Sequence, residues 1–301
     1  TLLSQGVIGA IWILTASQFL PSLPEFRERL GRILTMTCVP ILMIGLLFST
    51  THLGRPMYAW RALRNVSTSW ISREIWAFSI LMGLLCLLVY LWHNKELGKR
   101  YRKHFTVLTA VVGLVGIYTQ SQLYMIPGRP QWNHSSTFVL FIASALILGA
   151  LLVGVVTTFV AKAEKAAMRE MQVHVSATLL AGGTLYGLGY LSRLGHMSTG
   201  QSVSAAGQGG AAMGAATVDT AMHLGWSTVE SYRLLAELEV FLAVGIPIVA
   251  ASAIAWIWWR KGSIRTANIM VFSTMVLALA GTTAGRVLFY LTGKPWFSTG
   301  A

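Results

Sequence analysis

Charge is what this chain has least of. Charged residues make up 11% of its 301 positions, and only 10 of them are Asp or Glu, against roughly 25% charged in a soluble domain. That scarcity excludes an ordinary water-facing surface. Cysteine is almost absent. Cys38 and Cys86 both fall inside apolar runs and read as small buried hydrophobes, and two thiols are too few to hold an iron–sulfur cluster. Phosphate-cradling glycine loops are missing too: Gly207-Gln208-Gly209 with Ala212 follows no strand and opens no βαβ unit. Histidines at membrane depth are scarce. His93 and His104 fall in a basic connection, His134, His196 and His223 in the opposite connections, and only His174 near the start of an apolar run. A pair of bis-histidine haems has no ligand set here.

What is present is apolar sequence in long runs. The hydrophobic share is 54% and the mean hydropathy +0.62. Eight stretches are each long enough to cross a bilayer: about Leu2–Leu20, Ile33–Thr51, Ile75–Trp92, Phe105–Met125, Phe138–Val160, Val173–Tyr190, Leu238–Trp259 and Ala267–Leu291. A bilayer core offers no water to backbone N–H and C=O groups, so each crossing must be a self-satisfied helix. The expected fold is therefore an all-α integral membrane protein, one bundle of eight transmembrane helices over residues 1–301. The formal charge of +13 sits in short clusters between spans, the membrane pattern rather than a nucleic-acid surface.

The clusters also orient the chain. The odd-numbered connections hold Arg27, Arg29 and Arg32; Lys95, Lys99, Arg100, Arg102 and Lys103; Lys162, Lys165 and Arg169; and Arg260, Lys261 and Arg265. The opposite side holds fewer. This bias puts the odd connections in the cytoplasm and both termini at the periplasmic face of a bacterial inner membrane. Because the chain begins at Thr1 within an apolar run, a short preceding piece is expected. Two outer connections stand out. Over residues 54–73, Met57, Trp60, Leu63 and Val66 recur every three residues, which suits a short amphipathic helix lying in the interface, with Arg61 and Arg64 snorkelling from it. Residues 195–230 are rich in Gly, Ala, Ser and Thr and contain no convincing span. Gly183-x-x-x-Gly187 reads as small-residue helix packing.

The polar groups that remain carry the chemistry. His52 closes span two and Glu74 opens span three. A carboxylate inside the membrane costs about 2.5–3.5 kcal/mol to insert, so its retention points to function. The plainer alternative is that Glu74 pairs with Arg73 or Arg55 and caps the helix start. Arg286, one turn inside the last span, is expected to pair with Glu237 or Glu239.

The pattern around these residues resembles a known family. His52-Leu53-Gly54-x-Pro56, Ala59, Leu63, Asn65, Ser69, Ser72 and Glu74 are similar to the signature of the DmsC family, the membrane anchors of dimethyl sulfoxide reductase-type enzymes. Ala280-Gly281, Gly285-Arg286, Phe289 and Tyr290 resemble its last span. Ser231-Tyr232-Arg233, Tyr124 with Pro130 and Trp132, and Ser4-Gln5-Gly6 are similar to further family features in the same order. The departures are the 195–230 connection and the extra arginines Arg55, Arg61 and Arg73. The resemblance implies oxidation of menaquinol or a related quinol, and no haem or metal in this chain. It implies an iron–sulfur subunit and a molybdopterin catalytic subunit as partners, as in anaerobic respiration. It also implies His52 and Glu74 as the quinol-site residues. Arg61, Arg64, Tyr124 and Arg286 are further candidates to hold the quinol.

Two other readings compete. A polysulfide-reductase or NrfD-type anchor would also have eight spans and an outer quinone pocket. A secondary transporter would show internal repeats and interrupted helices near the midplane; no repeat between the halves is evident, and the polar groups gather at one face.

Overall fold

The computed structural model describes residues 1–19, 24–51, 60, 62–129, 131–161, 164–199, 229–259 and 263–292. The apolar runs form α1 (Leu2–Ser17), α2 (Pro24–Thr51), α3 (Trp70–His93), α4 (Lys95–Gln122), α5 (Ser136–Val160) and α6 (Lys165–Thr199). Then α7 (Arg233–Val240) passes through a π-helical turn (Phe241–Gly245) into α8 (Ile246–Trp259), and α9 (Ile264–Thr292) ends the described residues. No strand occurs among the described residues.

Six of these rods are long and apolar enough to cross a membrane: Pro24–Ser49, Trp70–His93, Lys95–Gln122, Ser136–Val160, Arg233–Trp258 and Ile264–Thr292. The first helix is apolar but only 16 residues long. At 35 residues α6 is long, but Gln172 and His174 dilute its apolar stretch.

Local chemistry sets the boundaries. Ser69 caps α3 by accepting from the Ser72 amide at 3.4 Å, and Asn94 ends α3 while capping α4 through the Leu97 amide at 3.1 Å. The π-helical turn has an identifiable cause. Pro247 lacks an N–H, and its ring would crowd the carbonyl four residues back at Ala243, so the helix widens just before it.

The centre of the bundle is α1, buried along nearly its whole length, with α5 beside it. An evenly apolar helix of this kind belongs inside rather than at a lipid-facing edge. Glycine allows the approach. A Cβ on Gly9 would lie 1.8 Å from the Ala145 carbonyl oxygen, and one on Gly149 would lie 2.3 Å from the Gly9 backbone. Backbone cannot yield as a flexible side chain can, so Gly9→Leu should force α1 and α5 apart. The expected result is loss of the protein from the membrane fraction, read by immunoblot, while Gly83→Leu, whose Cβ meets nothing, accumulates normally.

Several expectations change. Residues 195–199 are the last turn of α6, and Val229 and Glu230 are helical, so that outer connection is shorter than 195–230; residues 200–228 lie outside the described residues. Likewise α3 begins at Trp70, inside the segment expected to be interfacial. There, Leu63 lies in a 3₁₀ turn rather than an α-helix. Trp60, Leu63 and Val66 are exposed, as a lipid-facing stripe requires. Cys38 is buried as expected, but Cys86 is exposed on α3, where an apolar solvent replaces a protein core. Gly183 and Gly187 pack against Ile248 and Val244 within the same polypeptide.

A polar site at one end of the bundle

The connection before α3 is strapped to that helix. Ser72 Oγ donates to the Ala62 carbonyl, Trp76 Nε1 to the Leu63 carbonyl at 3.2 Å, and Arg73 Nε and Nη2 to the carbonyls of Val66 and Ser67 at 2.8 and 2.6 Å. The Arg73 guanidinium also lies over Trp70, 4.2 Å from the ring centre. These donors answer the expected Arg73–Glu74 pairing: Arg73 turns to loop carbonyls, Glu74 meets α4, and Arg55, the other expected partner, lies outside the described residues.

There Glu74 joins a relay of side chains that crosses the bundle. Gln120 Nε2 on α4 donates to Glu74 Oε1 at 3.3 Å and to Ser4 Oγ on α1 at 3.5 Å. Gln5 Nε2 on α1 donates to Gln120 Oε1 at 2.9 Å. Arg286 Nη2 on α9 donates to Gln5 Oε1 at 3.2 Å. Every amide thus accepts from the cation side and donates toward the carboxylate, an alignment in which each bond polarises the next. Gln5 and Gln120 are buried, so their amides need these partners.

Aromatic rings surround the cationic end. The Arg286 guanidinium carbon lies 4.1 Å from the centre of the Phe141 ring, a contact that supports a desolvated cation. Tyr124 meets Phe289 edge-on with centres 5.5 Å apart, and its hydroxyl lies 2.7 Å from that of Tyr290. Trp132 stacks on Phe289 at 5.0 Å. The α4–α5 connection is bound to the end of α9 by Trp132 Nε1 to the Phe289 carbonyl and Gln131 Nε2 to the Thr292 carbonyl, each at 2.7 Å. Those bonds satisfy carbonyls that a helix C-terminus leaves open.

Of the candidates named from sequence, Glu74, Tyr124 and Arg286 gather at this end. His52 and Arg61 lie outside the described residues; His52 directly follows the last residue of α2. Arg64 is exposed, with its guanidinium 4.5 Å from the Trp60 ring centre, and is not joined to the relay. The expected pairing of Arg286 is corrected. Glu237 pairs with Arg233 at 2.7 Å, Glu239 accepts from the Tyr186 hydroxyl at 2.9 Å, and Arg286 donates to Gln5 instead. A neutral amide can carry the cation's hydrogen bond onward to Glu74. Sequence reasoning missed Gln5, Gln120 and Tyr290 as site members; the available signal was an amide placed inside each of two apolar runs.

His196, expected in an outer connection, belongs to the last turn of α6. Its ring stacks on that of His134 with centres 4.3 Å apart. Burial, and then the neighbouring His196, hold His134 below the usual histidine range. Among the described residues, no three of His, Cys, Asp or Glu come together as metal ligands.

Fold and site define a class: a helical membrane protein with a relay of buried polar side chains at one end of the bundle. The family described as "DMSO reductase anchor subunit (DmsC)" matches residues 1–291. The protein belongs to that family. Among its relatives is the C chain of the anaerobic dimethyl sulfoxide reductase of Escherichia coli K12, 27% identical over 251 residues, which cover 82% of this protein and 76% of that one. The corresponding polypeptide of Haemophilus influenzae is 29% identical over 153 residues, covering 50% of this protein and 53% of that one, so the match spans about half the length of that relative. A shorter stretch, 69 residues at 38% identity, matches the C subunit of the sulfite dehydrogenase of Allochromatium vinosum over 23% of this protein and 20% of that one.

Proposed function

We propose that this protein is the quinol-oxidising anchor of a dimethyl sulfoxide reductase-type complex. In this reading all eight rods cross a bacterial inner membrane, α1 inside the bundle and α6 with Leu180, Leu188 and Leu191 turned outward. The end holding Glu74 faces the periplasm, because the Lys/Arg clusters lie at the other end. The observation that carries the reading is the hydrogen-bonded run from Arg286 through Gln5 and Gln120 to Glu74. It holds a carboxylate at the rim, with the aromatic cluster at the relay's cationic end, where a lipid-soluble ring can arrive from the bilayer.

Quinol oxidation releases two electrons and two protons. His52, with an unperturbed pKa of about 6.5, is suited to take a hydroxyl proton near neutral pH. Glu74, held by Gln120, receives the proton from His52 or from the second hydroxyl and passes it outward. The electrons leave this polypeptide, so the reaction needs an iron–sulfur subunit against this face and a molybdopterin subunit beyond it to reduce the terminal acceptor. Menaquinol, or a quinol like it, is the donor. Arg61 and Arg64 orient the headgroup or dock the partner.

The test is His52→Ala in the intact complex. Quinol-dependent reduction should fall by about two orders of magnitude or more, while assembly and turnover driven by an artificial dye persist. Wild-type quinol oxidation in that variant would remove His52 from the reaction. A polysulfide-reductase-type anchor is the second reading. The subunits that co-purify decide between the two.

A further inference from the structure

The end of the bundle opposite Glu74 holds a cavity that the quinol reading does not use. Arg286 lies near the end of α9, and this cavity lies at that helix's start. Lys165 and Arg169 of α6, Trp258 of α8, and Ser263 and Arg265 around the first residue of α9 line a space of about 560 Å³. Among the described residues that line it, three are cations and none is an acid. Lys165 and Arg169 are four residues apart and share a helix face. All three cations are exposed, and none has an ion pair among the described residues. Glu164, the acid beside Lys165, is taken by Arg29. Three like charges around one cavity repel one another, so the site favours an anion. Its walls are fixed. Trp258 Nε1 donates to Gln172 Oε1 at 2.7 Å, and Gln172 Nε2 donates to Asn268 Oδ1 at 2.9 Å. These bonds tie α8, α6 and α9 together, so the cations stand on a held backbone.

One turn deeper the chemistry changes. Val173 follows Arg169 by one helical turn, and Ile269 follows Arg265 by one turn, so each lies on its cation's face. Val173 and Ile269 are 46% and 56% exposed, and Leu180 and Val276, two turns further on, are exposed as well. The cations stand where the candidate span Arg233–Trp258 ends and the candidate span Ile264–Thr292 begins, the level of a membrane surface. A cationic mouth above exposed apolar stripes complements a phospholipid: phosphate at the surface, acyl chains along the helices. A soluble anion would use the mouth and leave the stripes idle. We propose that this cavity binds the phosphodiester headgroup of an anionic phospholipid, held by Lys165, Arg169 and Arg265, with its acyl chains along Val173 and Ile269. The arginine forks suit phosphate oxygens. A zwitterionic headgroup would bring an ammonium against three cations, so an anionic lipid is preferred. The phosphate bridges α6 and α9, whose cations otherwise repel, and so steadies this end of the bundle. The inference needs only a chain that spans a membrane, and it stands apart from the quinol reading.

The experiment uses the protein purified from membranes in mild detergent, with the subunits that accompany it, and depleted of lipid. Dioleoylphosphatidylglycerol or dioleoylphosphatidylcholine is added back, and thermal unfolding and native mass spectrometry are read on the same samples. Phosphatidylglycerol should raise the unfolding midpoint by several degrees more than phosphatidylcholine does, and its mass should remain on the protein. In Arg169→Gln/Arg265→Gln that gain should vanish and the retained phosphatidylglycerol should fall by about tenfold or more. Lys95→Gln/Lys99→Gln removes the same charge from the start of α4, outside the cavity, and should keep the wild-type gain. Should the Arg169→Gln/Arg265→Gln protein fail to accumulate, Arg169→Gln and Arg265→Gln are read singly, and each should lose part of the gain. An undiminished gain in these variants, an equal gain from phosphatidylcholine, or an equal loss in Lys95→Gln/Lys99→Gln would overturn the proposal. So would the same gain from inorganic phosphate without lipid, which would make the cavity a plain anion site. Glu74→Gln should hold phosphatidylglycerol as the wild type does, so the two readings fail separately.

Discussion

Glu74→Gln should reduce quinol-dependent turnover of the intact complex by roughly 10²–10⁴-fold, the range expected when a positioned acid–base group is removed. The substitution is nearly isosteric, so packing is preserved. An amide can still accept the Gln120 hydrogen bond through its oxygen, which keeps the relay assembled. What it cannot do is take a proton. The loss should therefore appear in turnover rather than in protein level, and dye-driven reduction by the partner subunits should be unchanged. Glu74→Asp should restore only part of the rate, because the shorter side chain retreats from Gln120. Steady-state kinetics with a soluble naphthoquinol, alongside the dye assay on the same preparation, checks both statements.

The second large effect belongs to Arg286. It supplies the positive end of the relay, lies 4.1 Å from the Phe141 ring centre and borders Glu239 across Gly285. Arg286→Gln keeps a donor for Gln5 but removes the charge, so quinol turnover should fall by about 10–100-fold. Stability should also fall, because removing one member of a buried charged network typically costs about 3–5 kcal/mol. Arg286→Lys should not restore the wild type. An ammonium lacks the planar face that stacks on Phe141 and is more strongly hydrated. Thermal unfolding of the detergent-solubilised complex should show a lower midpoint for both variants. A midpoint and rate equal to wild type in Arg286→Lys would mean that charge alone matters there.

The helices were readable because lipid imposes a simple rule. A backbone that cannot meet water must coil on itself, and an apolar run of sufficient length announces it. Glu74 stood out for the same reason in reverse: an acid at the start of an apolar run has a cost that only function or pairing offsets. The tertiary partners were not readable. Gln5 and Gln120 lie 115 residues apart, and a single amide in an apolar run has no periodic pattern to mark it. Arg286 was expected to find an acid, yet its hydrogen bond goes to Gln5 on the first helix, 281 residues away. The fate of Cys86 was hidden by a different ambiguity. In a membrane bundle, apolar faces point to lipid as well as to the core, so hydrophobicity no longer predicts burial. The π-helical turn before Pro247 was in principle visible, since an internal proline must disturb its helix, but a kink and a widened turn satisfy the same rule.

The central claim is that a quinol ring docks beside Glu74 at the rim formed by the ends of α2, α3 and α4. Photolabelling of the intact complex with a photoreactive naphthoquinone, followed by peptide mapping, tests it most directly. Labels should fall within residues 52–74 and 120–124, be displaced by excess unlabelled quinone, and weaken in the Glu74→Gln complex. Displaceable labelling confined to the opposite, Lys/Arg-rich end of the bundle, and equal in wild type and Glu74→Gln, would contradict it.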